Sequence, residues 1–336
     1  MARTIIANGT VVTATDRVPA DVLVEDEKIV ALAAPGSHDW TADETIDAAG
    51  KYVIPGGIDV HTHMELPFGG TFASDTFETG SRAAAWGGTT TIVDFAVQSR
   101  GRGLMEGYEA WREKADGNCA IDYGFHLIIS DVNEQTLKEM DTAVEEGVTS
   151  FKMFMAYPGV FYSDDGQIFR AMQKAAENGS TIMMHAENGI AIDVLVEQAL
   201  QRGETDPIYH GIVRKSILEG EATHRAIKLA ELAGAPLYIV HLSALEALEE
   251  VTIARDQDLN VFAETCPQYL LLGLDDLGNG FEGAKYVCSP PLRDWEAGHQ
   301  EELWRGLRGN DLQVISTDHC PFCMDEFDGL IAQKRL

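Results

Sequence analysis

Long hydrophobic runs are missing from this chain. Its 336 residues are 45% hydrophobic, yet no uninterrupted apolar stretch approaches the ~20 residues of a membrane-spanning helix. The amino terminus also lacks the charged-then-apolar pattern of a secretory signal. Positive charge is scarce: 25 Lys and Arg stand against 54 Asp and Glu, a formal net charge of -29. So negative a balance argues against nucleic acid or an anionic membrane as partner. Cysteine is scarce and odd in number. The five residues, at 119, 266, 288, 320 and 323, suit a reduced, cytoplasmic protein rather than a disulfide scaffold. Low-complexity segments and short-period repeats are also absent. What remains is the composition of a soluble globular chain, long enough for one large domain plus a small one.

Residues 1–54 are β in character. Asn8-Gly9 separates two β-branched runs as a hairpin turn would, and residues 21–32 read as a second hairpin. Pro55-Gly56-Gly57 leads into a second domain, 55–336, where apolar runs alternate with helical patterns. The runs lie near Ile58 and at 90–94, 121–129, 150–154, 181–185, 237–241, 261–265 and 314–317. Between them, helical patterns occupy 76–86, 133–146, 168–178, 189–201, 219–233 and 245–255. Eight strands with intervening helices predict a (β/α)8 barrel, with a doubly wound sheet as the rival. A barrel places its active site at the C-terminal ends of the strands.

Chemistry-bearing residues gather at those ends. Gly56-Gly57-Ile58-Asp59-Val60-His61-Thr62-His63 is a short apolar strand ending in two histidines one residue apart. Side chains at i and i+2 of an extended chain share a side, so His61 and His63 can hold one ion. A lone His-x-His is more often structural. Here, however, His185 ends the fifth run, His241 the sixth, and Asp318 follows the eighth. Four histidines and a carboxylate on one rim suit zinc or a similar divalent ion, and they exceed the needs of one tetrahedral ion, which argues for two. Lys152 lies in the fourth run between Phe151 and Met153. An ammonium beside two cations is strongly disfavoured, so this lysine is either turned out to solvent or neutral. Carbamylation by carbon dioxide would make it an anion able to bridge two metals.

The stretches Gly57-Ile58-Asp59-Val60-His61-Thr62-His63-Met64-Glu65-Leu66-Pro67, Gly87-Gly88-Thr89-Thr90-Thr91, Ser150-Phe151-Lys152, His185-Ala186-Glu187-Asn188, His241-Leu242-Ser243 and Ser316-Thr317-Asp318-His319-Cys320-Pro321-Phe322 together resemble the hydantoinase/dihydropyrimidinase family of cyclic amidohydrolases. The resemblance runs over essentially the whole chain. It implies a binuclear zinc centre in the barrel and a companion β-sandwich, partly supplied by residues 1–54. By motif position His61, His63 and Asp318 hold one metal, His185 and His241 the other, and carboxylated Lys152 bridges them. It further implies ring-amide hydrolysis to an N-carbamoyl amino acid, with Asp318 shuttling the proton, Tyr157 donating to the developing oxyanion and Ser289 contacting the ring imide. A homotetramer or dimer is the implied assembly.

Related dihydroorotases carry an arginine two residues after the His-x-His pair to clamp a substrate carboxylate. Here that position is Glu65, which would repel such a group, so an uncharged cyclic ureide is the expected substrate. Met64, Leu66, Phe68, Phe154 and Phe161 are candidates to meet its exocyclic substituent, or are loop packing. Allantoinase activity and a non-catalytic assembly role are the alternatives. The first calls for a substrate comparison; the second usually goes with loss of metal ligands, and the set is complete here. Cys320-Pro321-Phe322-Cys323 lacks the partner pair of a zinc finger. His319 is expected to support the site from behind the ligands. His38, His210, His224 and His299 read as surface residues and His126 as a buried strand residue. The stretch after Asp318 is too short for the helix that should cover strand eight. The family's return to the sandwich and a substrate-contacting asparagine beyond strand eight are not encoded. The expectation is a C-terminally truncated chain, with its ligands complete but its apolar surface exposed, prone to aggregate and weakly active.

Overall fold

The computed structural model describes residues 2–322. Contacts divide the chain into two compact units, Met1–Gly57 and Ile58–Leu336. In the first, β1 (Arg3–Val12), β2 (Arg17–Glu25), β3 (Lys28–Ala33) and β4 (Glu44–Asp47) lie in the order β3-β2-β1-β4, and β5 (Tyr52–Val53) also pairs with β1. The hairpin predicted over 21–32 is the antiparallel β2–β3 pair.

The turn predicted at Asn8-Gly9 does not reverse the chain. Strand β1 continues through it, and the register against β2 slips between Ile6 and Gly9. Asn8 adopts φ 64°, and its N–H is donated to Asp21 Oδ1 at 2.7 Å. That bond ties the left-handed residue to the neighbouring strand, so it is absorbed as a bulge. A Cβ on Gly9 would lie 2.5 Å from Val53 Cγ2, so the glycine is what lets β5 approach. Val11, Ala20 and Val22 form the unit's small core, while Ile29, Val30, Leu32, Ile46 and Tyr52 are exposed.

The second unit starts with β6 (Gly57–Thr62) and a small hairpin, β7 (Pro67–Phe68) and β8 (Thr71–Phe72). There follow α1 (Phe77–Trp86), β9 (Thr89–Val97), α2 (Leu104–Ala115), β10 (Asp122–Ile128), α3 (Glu134–Glu145), β11 (Ser150–Phe154), α4 (Asp165–Asn178), β12 (Thr181–His185) and α5 (Gly189–Gln201). The described part ends with α6 (Ile208–Val213), α7 (Ser216–Ala233), β13 (Leu237–Ile239), α8 (Leu245–Asp256), β14 (Val261–Thr265), α9 (Pro267–Leu271), α10 (Leu274–Leu277), α11 (His299–Gly309) and β15 (Val314–Ile315).

The sheet order is β15-β14-β13-β12-β11-β10-β9-β6. A doubly wound sheet reverses its order at a switch point; this one runs sequentially and closes on itself. Closure is a parallel bridge between Thr62 and His319, in which His63 N–H donates to His319 O at 2.8 Å and His319 N–H to His61 O at 3.3 Å. Thr317 adds a bond from its N–H to Asp59 Oδ1 at 3.1 Å. The fold is therefore the expected (β/α)8 barrel, and its seam runs directly beside the His-x-His pair.

Local chemistry explains the helices. In α4, Asp164 and Gln167 form a capping box, Ile168, Ala171, Met172 and Ala175 make the buried stripe, and Gly179 ends the helix in the left-handed conformation. Helix α2 was not among the predicted patterns, for a reason that lies in its packing: a Cβ on Gly107 would sit 2.5 Å from Val97 O. The glycine weakens the helical signal but allows contact with β9. No helix among the described residues is long and apolar enough to cross a membrane. The expectation of a missing cover for strand eight falls on residues 323–336, outside the described residues.

Candidate metal centre

The barrel brings six of the sequence-predicted residues together. His61 and His63 stand at the end of β6 with their Nε2 atoms 3.2 Å apart. Asp318, beyond β15, places Oδ1 3.1 Å from His61 Nε2 and 3.2 Å from His63 Nε2. These three are positioned to hold one cation. His185 closes β12 and His241 follows β13, with His185 Nδ1 2.9 Å from His241 Nε2. The two groups adjoin, the His61 and His241 ring centres being 5.3 Å apart. Lys152, mid-strand in β11 and 1% exposed, points inward rather than to solvent. Its Nζ is 2.8 Å from His61 Nε2.

Two buried carboxylates set which imidazole nitrogens face inward. Glu264, at the end of β14, engages His61 Nδ1 through Oε1. Glu187 engages His185 Nε2 at 2.8 Å. Each carboxylate accepts an N–H, so the opposite nitrogen, His61 Nε2 or His185 Nδ1, presents its lone pair to the cluster. Metal-ligating histidines are oriented in this way. His63 Nδ1 and His241 Nδ1 are buried without a hydrogen-bond partner, so nothing on those rings competes for the inward nitrogens. Four imidazoles and a carboxylate converging with lone pairs inward are a donor set suited to divalent ions.

The electrostatics favour unprotonated nitrogens at His63, His185 and His241; at His61 burial and Lys152 act downward, but Asp318 and Glu264 outweigh them and raise it. Burial depresses His63 to about 3 and His241 well below its ordinary value, where the neighbouring His185 adds to the effect. Burial also brings the Lys152 ammonium down to about 8. For Asp318 burial acts upward, but His61 and His63 outweigh it and hold the carboxyl well below the usual range. Glu187 follows the same pattern: against burial, Arg214, His185 and Arg293 hold it at about 2.

A cavity of about 330 Å³ opens over the cluster, bordered by His63, Lys152, His185, His241 and Asp318 on one side and Leu66, Phe68, Phe154 and Phe161 on another. Tyr157 and Ser289 both line it. Tyr157 has φ 62°, and its ring centre is 5.1 Å from that of His185. Other expectations need correction. Met64 does not line the cavity; it is 1% exposed and packs in the core. The Glu65 carboxylate faces the start of α1, where Oε1 accepts the Phe77 N–H at 3.4 Å, and it does not border the cavity. His210 and His299 are buried, not on the surface: His210 Nε2 bonds Cys288 O at 2.8 Å and His299 Nδ1 accepts the Leu245 N–H at 2.9 Å. The His319 ring turns to Asp75 Oδ2 at 2.7 Å, and its support for the site comes from its backbone at the barrel seam.

Glu264, Glu187 and Arg214 escaped sequence reasoning. Glu264 had a signal, an acid closing the apolar run Val261-Phe262-Ala263. Glu187 follows His185 by two residues, the spacing that aligns side chains in an extended segment. Arg214 had none.

The amidohydrolase family profile matches residues 52–269. The chain belongs to the amidohydrolase family, on its hydantoinase branch, a family that implies a binuclear divalent metal centre. It is 72% identical over 325 residues to a D-hydantoinase of Streptomyces coelicolor, covering 96% of this chain and 69% of that one. With a D-hydantoinase of Geobacillus stearothermophilus it shares 52% identity over 320 residues, covering 95% of this chain and 67% of the other. The crystal structure of dihydropyrimidinase from Brevibacillus agri superposes with a TM-score of 0.94 at 49% identity, covering 98% of this chain and 71% of that chain.

Proposed function

We propose that this chain hydrolyses the cyclic amide bond of hydantoins or dihydropyrimidines to give N-carbamoyl amino acids. The observation that carries the reading is the convergence of His61, His63 and Asp318 with His185 and His241, Lys152 lying beside them under an apolar-walled cavity. His61, His63 and Asp318 would hold one divalent ion, and His185 and His241 a second, both taken to be zinc. Bound there, two such ions polarise a ring carbonyl and acidify water. Lys152 as its N6-carboxylate would join them. Burial supports this, because an amine brought down to about 8 is neutral in part near pH 7, and only the neutral amine adds to carbon dioxide.

Asp318 is ionised and sits among the ligand nitrogens, so it can accept the proton of the attacking water and return it to the leaving ring nitrogen. The Tyr157 hydroxyl donates to the carbonyl oxygen as it gains charge. Ser289 holds the polar edge of the ring. Leu66, Phe68, Phe154 and Phe161 receive the exocyclic substituent and keep water off it. We place the chain in the cytoplasm as a small β domain, 1–54, with a hydrolase barrel, 55–336, and the full-length protein in a homo-oligomer, tetramer or dimer, that takes neither nucleic acid nor membrane as partner.

The test is turnover of protein purified without chelator on hydantoin, dihydrouracil and allantoin, alongside elemental analysis. Ring opening of hydantoin or dihydrouracil with two metals per chain is expected. Activity on allantoin alone, or none with both sites filled, would overturn the reading.

A further inference from the structure

We infer that Arg214 receives the carboxylate created by ring opening, a role that rests on the reaction proposed above. Arg214 follows α6 and lines the reaction cavity, with its side chain 12% exposed. Its guanidinium is underused. Nε is buried with no hydrogen-bond partner. Nη1 comes only within 3.5 Å of Glu187 Oε2, an oxygen that His185 Nε2 already engages at 2.8 Å. Arg293 nearby is the contrast. It donates from Nε to Ser243 Oγ at 3.0 Å, from Nη2 to Glu219 Oε2 at 2.6 Å, and from Nη1 to the backbone carbonyl of Arg214 itself. One buried arginine is spent on the scaffold, and the other keeps donor capacity beside a cavity. A buried donor without a partner is costly, and the planar guanidinium fork matches a carboxylate.

The position agrees with the chemistry. Arg214 Cζ is 5.9 Å from the centre of the Tyr157 ring, and that ring is 5.1 Å from His185, so Arg214 stands on the side of the cavity where the attacked carbonyl gains charge. Ring opening adds water across one C–N bond. The carbon keeps the new oxygen, the nitrogen takes a proton, and the acid formed releases its remaining proton to solvent. The ring offers Arg214 no charge, and the linear product does. Arg214 therefore distinguishes product from substrate and makes the enzyme sensitive to inhibition by its product and by other short carboxylates.

The test uses metal-loaded wild type, Arg214→Gln and Arg214→Lys, with two competitive ligands: a linear N-carbamoyl amino acid and its uncharged carboxamide. Metal content is measured in each, because Glu187 also contacts His185. Arg214→Gln should weaken the carboxylate on the order of tenfold to a hundredfold and the carboxamide far less, and Arg214→Lys, which keeps the charge without the fork, should recover part of the difference. Equal losses for both ligands, or no loss for the carboxylate, overturn the assignment. Should the Gln variant lose metal, the same comparison in the Lys variant decides: a carboxylate-selective loss supports the role and its absence refutes it. A wild type with both metal sites filled that opens no ring refutes the reaction instead, which separates the two failures.

Discussion

Replacing Glu264 by glutamine should loosen the metal proposed to bind at His61 while leaving the barrel intact. Oε1 of this fully buried carboxylate accepts from His61 Nδ1 and, at 3.1 Å, from the backbone N–H of His241, and Oε2 accepts the Tyr238 hydroxyl at 2.9 Å. It thus holds one residue of each ligand group. A glutamine of the same shape keeps one oxygen for His61 and His241 and offers its NH2 to the Tyr238 hydroxyl, which can turn to accept. What is lost is charge assistance: a bond to an ionised acceptor is about 1 kcal/mol stronger than a neutral one. The loss of an outer carboxylate partner typically weakens metal binding by about 10- to 100-fold, equivalent to roughly 1.4–2.7 kcal/mol. Alanine should do worse, because it leaves the His61 and His241 donors unpaired in a dry site at about 1–3 kcal/mol each. Chelator competition on wild type, Glu264→Gln and Glu264→Ala gives the affinities, and circular dichroism of the metal-free forms monitors the fold. A folded Glu264→Gln that binds both metals within about twofold of wild type, a change of only some 0.4 kcal/mol, would refute the inference that the charge on this carboxylate strengthens metal binding through His61.

Lys152→Ala should lose metal and turnover together, and added short-chain carboxylic acids should restore part of both; retention of two metals with normal turnover would remove Lys152 from the centre. Gly189→Ala would place a Cβ 2.7 Å from Ala156 Cα and 3.0 Å from Met155 O, backbone that cannot rotate aside. It should destabilise the fold by about 1–3 kcal/mol and displace Tyr157, lowering kcat more than metal content; thermal unfolding and steady-state rates check both. For Glu187, a carboxyl held at about 2 in the fold against 4.5 for the free group contributes stability that is complete above pH 4.5 and is lost as pH falls toward 2. The contribution is on the order of 3 kcal/mol. Acid titration of metal-free protein should therefore show a shallower loss of stability in Glu187→Gln than in wild type over that window.

The sequence by itself determined the barrel and placed the candidate ligands on one rim of it, because those signals are local. Strand and helix periods repeat along the chain, the His61 and His63 side chains share a side through two-residue alternation alone, and strand-end positions converge once the fold class is given. The apolar border of the cavity was also legible in Leu66, Phe68, Phe154 and Phe161. Tertiary structure decided what depends on partners distant in the chain. Asn8-Gly9 reads as a turn, and only the Asp21 acceptor on the adjacent strand makes it a bulge. Glu65 looks like a charge in the cavity until α1 takes its carboxylate. The pairing of His61 with Glu264 spans 203 positions. No local pattern shows that this acid, rather than any other of the 54 acidic residues, sets which imidazole nitrogen faces inward, because a hydrogen bond depends on positions in space that only the closed barrel supplies.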